Sequence, residues 1–168
     1  MHQFKAFCTR ILIAAMLVGL MASCNSRSKK YVIAVVQCSQ DSWREKLNAE
    51  LQAATYFYDN VELRFANAND SVELQKRLLK QYADSGVDMI IVAPITSAEI
   101  TPTVEQVMDS GIPVITFDRK IQSNKFTAHI GCDNYQMGLT MGKYVAAEMK
   151  GKGKVVEITG MQGSSPMI

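Results

Sequence analysis

At 168 residues, with 48% hydrophobic and 20% charged side chains, the chain has the size and composition of one or two globular units. Two of its 18 Lys and Arg residues, Lys5 and Arg10, lie in the first 24 positions, which hold no Asp or Glu; the remainder therefore carries 16 basic against 16 acidic groups. That neutral balance argues against a nucleic-acid partner, whose binding rests on a basic excess.

Lys5 and Arg10 form a positive opening, and Ile11 to Ala22 follows without a charge and ends in small residues, the pattern of an export signal over residues 1–24. As a helix that run spans about 18 Å against about 30 Å of bilayer hydrocarbon, too short to cross comfortably. Met21-Ala22-Ser23-Cys24 is similar to the lipobox of bacterial lipoproteins, with Met where Leu is usual. Lipidation at Cys24, ordinary cleavage and an uncleaved anchor are the open alternatives, and each puts the rest of the chain outside the cytoplasm. Arg27, Lys29 and Lys30 make residues 25–30 a short polar tether.

From Tyr31 onward, short apolar runs alternate with helical stretches, which predicts a doubly wound parallel sheet. Tyr31 to Val36 is nearly all apolar, as a strand buried on both faces should be. Ser42-Trp43-Arg44-Glu45 reads as a capping box opening a helix whose face holds Trp43, Leu47, Leu51 and Ala54 or Tyr58. A second strand covers Val61 to Phe65. Asp70 then caps a helix carrying Val72, Leu78, Leu79 and Tyr82, which Gly86 ends. Met89 to Val92 is the third strand. Thr101-Pro102 starts a helix with proline at its first position, and Gly111 stops it before the fourth strand, Val114 to Phe117. Ala128 to Ile130 is a short fifth strand. Asn134 to Met149 is helical, with Gly138 and Gly142 on one face for close packing, and Val155 to Ile158 is a sixth strand. The glycine-rich stretch from Gly160 to Ile168 reads as a loop about to begin a helix, so the sequence is expected to be a fragment.

Cys8 and Cys24 belong to the export segment, leaving Cys38 and Cys132. With a flavodoxin-like strand order 2-1-3-4-5, the strand ends that carry them lie three spacings apart, roughly 14 Å, and two free thiols are expected.

Chemistry concentrates at strand ends. Asp118-Arg119 follows the fourth strand, and ligands of open parallel sheets bind beyond the carboxyl ends of the strands. A carboxylate and a guanidinium there can accept from and donate to hydroxyls, as a sugar requires. The alternative is a solvated loop pair. Trp43, the single tryptophan, is either the core anchor of its helix or a face for the apolar side of a sugar ring. His129-Ile130-Gly131-Cys132-Asp133 holds three metal-type ligands too close around one strand end to converge, and no metal is expected. Gly160 to Ser165 has neither the Gly-Lys-Ser/Thr ending of a phosphate loop nor the glycine of a nucleophile elbow. No nucleophile and base pairing points to an enzyme, and no cofactor is called for.

The order of elements, Gly111-Ile112-Pro113-Val114 leading to Asp118-Arg119, and Ile130-Gly131-Cys132-Asp133-Asn134 followed by Gly138 resemble type 1 periplasmic binding proteins, the ribose and related sugar binders. The resemblance covers Lys30 to the end. Within that family, Val36 to Lys46 looks most like the extracytoplasmic sugar sensors of hybrid two-component systems, in which a membrane helix and a histidine kinase follow. It implies an α/β, periplasmic-binding-protein-like fold with lobe one over residues 31–131 and a crossover and start of lobe two over 132–168. It also implies a ligand set: an amide or acid and a stacking aromatic in the first loop, matching Asp41 and Trp43; Arg44, where many relatives have a second aromatic; Asp118 and Arg119 after the fourth strand; and Cys132, where relatives often have Ser or Ala. Ala93 stands where the family often has Asn, so one hydroxyl contact is absent.

The resulting expectation is a non-enzymatic domain that closes by hinge motion over a monosaccharide, held at the membrane by a lipid or a downstream helix. Its partner is a histidine kinase region or, in the alternative role of a transport lipoprotein favoured by the lipobox, an ABC permease. A repressor of this fold would carry a helix-turn-helix where this chain has its signal.

Overall fold

The structure, a computed structural model, describes residues 29–167. The expected export signal and the candidate lipidation residue Cys24 lie outside the described residues. Five strands form one sheet: β1 (Tyr31–Gln37), β2 (Val61–Asn67), β3 (Met89–Val92), β4 (Val114–Phe117) and β5 (Ala128–Ile130). Their spatial order is β2-β1-β3-β4-β5, and every ladder is parallel. The expected strand order is therefore realised, and the carboxyl ends of all five strands open on one edge.

Among the described residues, four α-helices connect or follow the strands: α1 (Ser42–Ala54), α2 (Val72–Asp84), α3 (Ser97–Asp109) and α4 (Asn134–Glu148). Alternation along β1 sends Ala34 and Val36 to one face, where they meet Ile90, Val92 and Val114 of β3 and β4 and Leu79, Ile100, Val104 and Val107 of α2 and α3 in the main core. The opposite face receives α1. There Gln37 Nε2 donates to Asn48 Oδ1 at 2.9 Å, and Arg44, rather than an apolar residue, is the buried residue of the helix.

Several boundaries differ from expectation. The cap of α1 is Asp41, not Ser42, because the longer carboxylate reaches the Arg44 amide at 2.9 Å. Likewise Ser71 caps α2 through its Leu74 contact, while Asp70 sits in the left-handed region at φ 59°. α3 starts a full turn earlier than Pro102 suggests. Pro102 lies inside it, and Thr101 Oγ1 donates to the Ser97 carbonyl in the same stretch. Gly86 and Gly111 end their helices at φ 71° and 89°, values that cost a side chain but not glycine.

The last third departs most. Val155, Val156 and Ile158 pair with no strand among the described residues and are 68%, 89% and 95% exposed, since an extended segment without a ladder partner is not a strand. α4 buries no residue, and nothing lies within 4 Å of a side chain built at Gly138 or Gly142, so the expected close packing on that face is absent. The glycine-rich stretch instead folds back on lobe one: Ser97 N donates to the Gly163 carbonyl (2.9 Å) and Lys120 N to Ser165 Oγ (2.8 Å). At the end of the expected tether, Lys29 and Lys30 pair with Asp88 (2.6 Å) and Glu62 (2.9 Å). Cys38 is a buried and Cys132 an exposed free thiol.

Candidate ligand-binding site

The loop after β1 turns into α1 at the carboxyl edge of the sheet, and the loop after β4 faces it. Asp41, Trp43, Arg44, Asp118 and Arg119 line one cleft of about 500 Å³ between them, floored by Gly160, Met161, Ser164 and Pro166. Five of the six candidate ligand residues thus converge from positions 74 or more apart in the chain for the two loops.

Asp41 does two jobs. One carboxylate oxygen caps α1, and the other accepts from Arg44 Nη1 and from Ser39 Oγ (3.3 Å). The Arg44 amide first holds the Asp41 carboxyl below the usual carboxylate range; burial opposes it, and the Arg44 guanidinium and Ser39 hydroxyl add to the lowering. Arg44 reaches across the cleft, with Nη2 3.5 Å from Asp118 Oδ2, and its Nε is buried without a protein partner. Two carboxylates flanking one guanidinium make its burial tolerable.

Trp43 is 51% exposed, so the reading of it as a core anchor fails. Its indole stacks on Phe117, with centroids 5.7 Å apart and planes at 26°, and the Arg44 guanidinium lies 5.5 Å from its centroid. The last residue of β4 thereby props the indole at the mouth of the cleft.

Asp118 occupies the left-handed region at φ 62°, an uncommon state for a non-glycine residue that costs on the order of 1–3 kcal/mol. Its amide donates to the Ile130 carbonyl (2.9 Å), tying the twist to the neighbouring strand. The carboxylate is turned toward Arg44 and toward Arg119 Nε at 3.8 Å. Arg119 in turn donates through Nη1 to the Ile95 carbonyl (3.1 Å), so part of its fork is committed to the loop after β3.

That loop, which carries Ala93 and Pro94, is held firmly. Gln75, fully buried on α2, donates to the Ala93 carbonyl (2.9 Å) and accepts from the Ile95 amide (2.9 Å). Gln75 and Phe117 are the site-supporting residues that sequence reading missed. A signal existed for Gln75: it shares the apolar stripe of α2 with Val72, Leu78 and Leu79, where an amide must find polar partners.

Cys132 is not in this cleft. It lines an adjoining one of about 490 Å³ with Lys120, His129 and Asp133, joined to the first through Asp118 and Pro166. His129 bonds Thr116 Oγ1 at 3.0 Å, and burial, then the charge of Lys120, pushes its pKa down. Among the described residues, no three His, Cys, Asp or Glu side chains gather to hold a metal ion, and no helix is long and apolar enough to cross a membrane.

Residues 32–168 match the family model described as a periplasmic binding protein domain. The ribose import binding protein of Escherichia coli (strain K12) is 27% identical over 156 residues, covering 92% of this chain and 52% of that protein. Among solved structures, a fructose-binding periplasmic domain of a hybrid two-component system superposes with a TM-score of 0.79 at 44% identity, over 82% of this chain and 46% of that one. An ABC transporter solute-binding protein from Bacillus halodurans C-125, with bound myo-inositol, gives 0.78 at 24% identity, over 85% and 50%, a likeness of fold. The chain spans about half the length of these relatives, one lobe of a two-lobe fold.

Proposed function

Since this chain belongs to the periplasmic binding protein domain family, we propose that its cleft binds a monosaccharide, without catalysis, as half of a two-lobe domain that closes on its ligand. The observation that carries the reading is the half-exposed Trp43 ring standing on Phe117 beside Asp118 and Arg119 in one cleft. The exposed indole offers a surface for the apolar C–H face of a sugar, while the Asp118 and Asp41 carboxylates accept from hydroxyls and the uncommitted donors of Arg119 give to them. Cys132 lines the adjoining cleft and would meet the ligand only as lobe two, begun at residues 132–168, closes.

We assign the domain to ligand sensing in a hybrid two-component protein, with a histidine kinase region as its output. The 44% identity to the fructose-binding sensor domain supports this role. The lipobox-like Met21-Ala22-Ser23-Cys24 favours a second one, the membrane-held binding component of a sugar ABC transporter. Either role places the domain outside the cytoplasm at a membrane.

Calorimetric titration of the full-length gene product with fructose, ribose and a panel of other monosaccharides tests the reading. Saturable binding of one sugar, weakened roughly ten- to a hundredfold in Asp118→Ala, is the expected result. Unchanged affinity in that variant would overturn the site.

A further inference from the structure

α1 begins at the cleft with Asp41 as its cap and runs back along the sheet for about 20 Å, so the turn that follows it stands at the opposite pole of the lobe. That turn, Thr55–Phe57, presents three consecutive aromatics to solvent: Tyr56 at 90%, Phe57 at 85% and Tyr58 at 60% exposure. Tyr31, 43% exposed, opens β1 beside them, since its amide donates to the Asn60 carbonyl at 2.7 Å. The turn is fixed, not frayed: Tyr58 N bonds the Thr55 carbonyl (2.9 Å) and Val61 N the Tyr58 carbonyl (3.1 Å). Single exposed apolar side chains need no explanation, but a clustered aromatic patch on a rigid turn marks a contact surface.

Two observations say what covers it. The chain enters the described residues at Lys29, at this same pole, and only residues 23–28 separate Lys29 from the charge-free run Ile11 to Ala22. Six extended residues reach at most about 20 Å, so whatever holds the apolar run or a lipid on Cys24 holds this pole close by. Second, the cations of the pole are already matched, Lys29 by Asp88 and Lys30 by Glu62, which leaves little net charge to seek an acidic partner. Tyrosine and phenylalanine, with an apolar body and in tyrosine a wet tip, are suited to the boundary between lipid headgroups and acyl chains.

We propose that Tyr56, Phe57 and Tyr58, with Tyr31, rest on the phospholipid surface of the membrane that holds the N-terminal segment, seating the lobe with its ligand cleft facing away from the bilayer. The contact is apolar and interfacial, not electrostatic. The proposal rests on residues 1–24 acting as an export and anchoring segment, and is independent of which sugar binds.

The test uses the full chain reconstituted into vesicles of phosphatidylethanolamine and phosphatidylglycerol. Phe57→Trp in a Trp43→Phe background puts a single indole on the turn, and Tyr58→Trp in the same background is a second reporter should the first disturb the turn. Expected are co-flotation, a blue-shifted emission quenched by lipids brominated near the headgroup, and no loss of quenching with added salt, while Trp43 of the parent chain stays unquenched. Flotation with water-like, unquenched emission at both reporters overturns the seating while leaving the anchor intact. Failure to float removes the anchor and the proposal with it. Emission that is shielded without lipid quenching and varies with protein concentration overturns it in favour of a second copy of the chain.

Discussion

The indole of Trp43 and the ring of Phe117 stack at 5.7 Å, joining the first turn of α1 to the end of β4. Because Asp118 and Arg119 follow Phe117 directly, the stack sets the aromatic face and the polar pair of the cleft in one frame. A substitution in either ring therefore moves both halves of the site.

Asp118→Ala and Arg119→Ala should each weaken monosaccharide binding by roughly ten- to a hundredfold in the full-length protein, since charge-assisted hydrogen bonds contribute about 1.5 to 3 kcal/mol. Asp118→Gly separates binding from folding. Glycine accepts φ 62° without strain, so its melting temperature should exceed that of the alanine variant, which loses the same carboxylate, while affinity falls equally in both. Calorimetry and thermal melting on the same samples measure both.

Trp43→Ala should cost as much affinity as loss of either charged residue, and Trp43→Phe less, because a smaller ring still offers a face to the sugar and to Phe117. With the indole half-exposed, neither change should lower the melting temperature by much. A large drop in stability with unchanged affinity would return Trp43 to the role of a packing residue.

Gln75→Ala should destabilise the lobe by about 2 to 6 kcal/mol, because it leaves a buried carbonyl at Ala93 and a buried amide at Ile95 unpaired at about 1 to 3 kcal/mol each. Urea denaturation reads the loss. Gln75→Glu, which buries a carboxylate against the Ala93 carbonyl, should cost at least as much at neutral pH.

In cells expressing the intact gene, Cys24→Ala should abolish labelling by palmitate and the sensitivity of processing to globomycin. Labelling equal to that of the parent chain would remove the lipoprotein reading.

The alternation of apolar runs and helical stretches was enough to place β1 to β5 and their order. Strand and turn signals are local, and a parallel sheet buried on its faces leaves few ways to arrange them. The same local logic located Asp118 and Arg119 at a strand end and made Trp43 a candidate. What it could not reach is decided across the chain. Asp41 displaced Ser42 as cap because its carboxylate also finds the Arg44 guanidinium, and Arg44 is buried because Asp118, far away in sequence, supplies its second counter-charge. Pro102 sits inside α3 because a proline removes one amide, and a helix packed on the core through Ile100, Val104 and Val107 can forgo one hydrogen bond. Val155 to Ile158 has the composition of a strand, but composition provides no neighbour, and the segment joins no ladder and stays exposed. The sequence by itself singled out the candidate ligand residues; only the tertiary structure decided that Trp43, Asp41, Arg44, Asp118 and Arg119 share a cleft and Cys132 does not, because that sharing depends on contacts between segments no local pattern encodes.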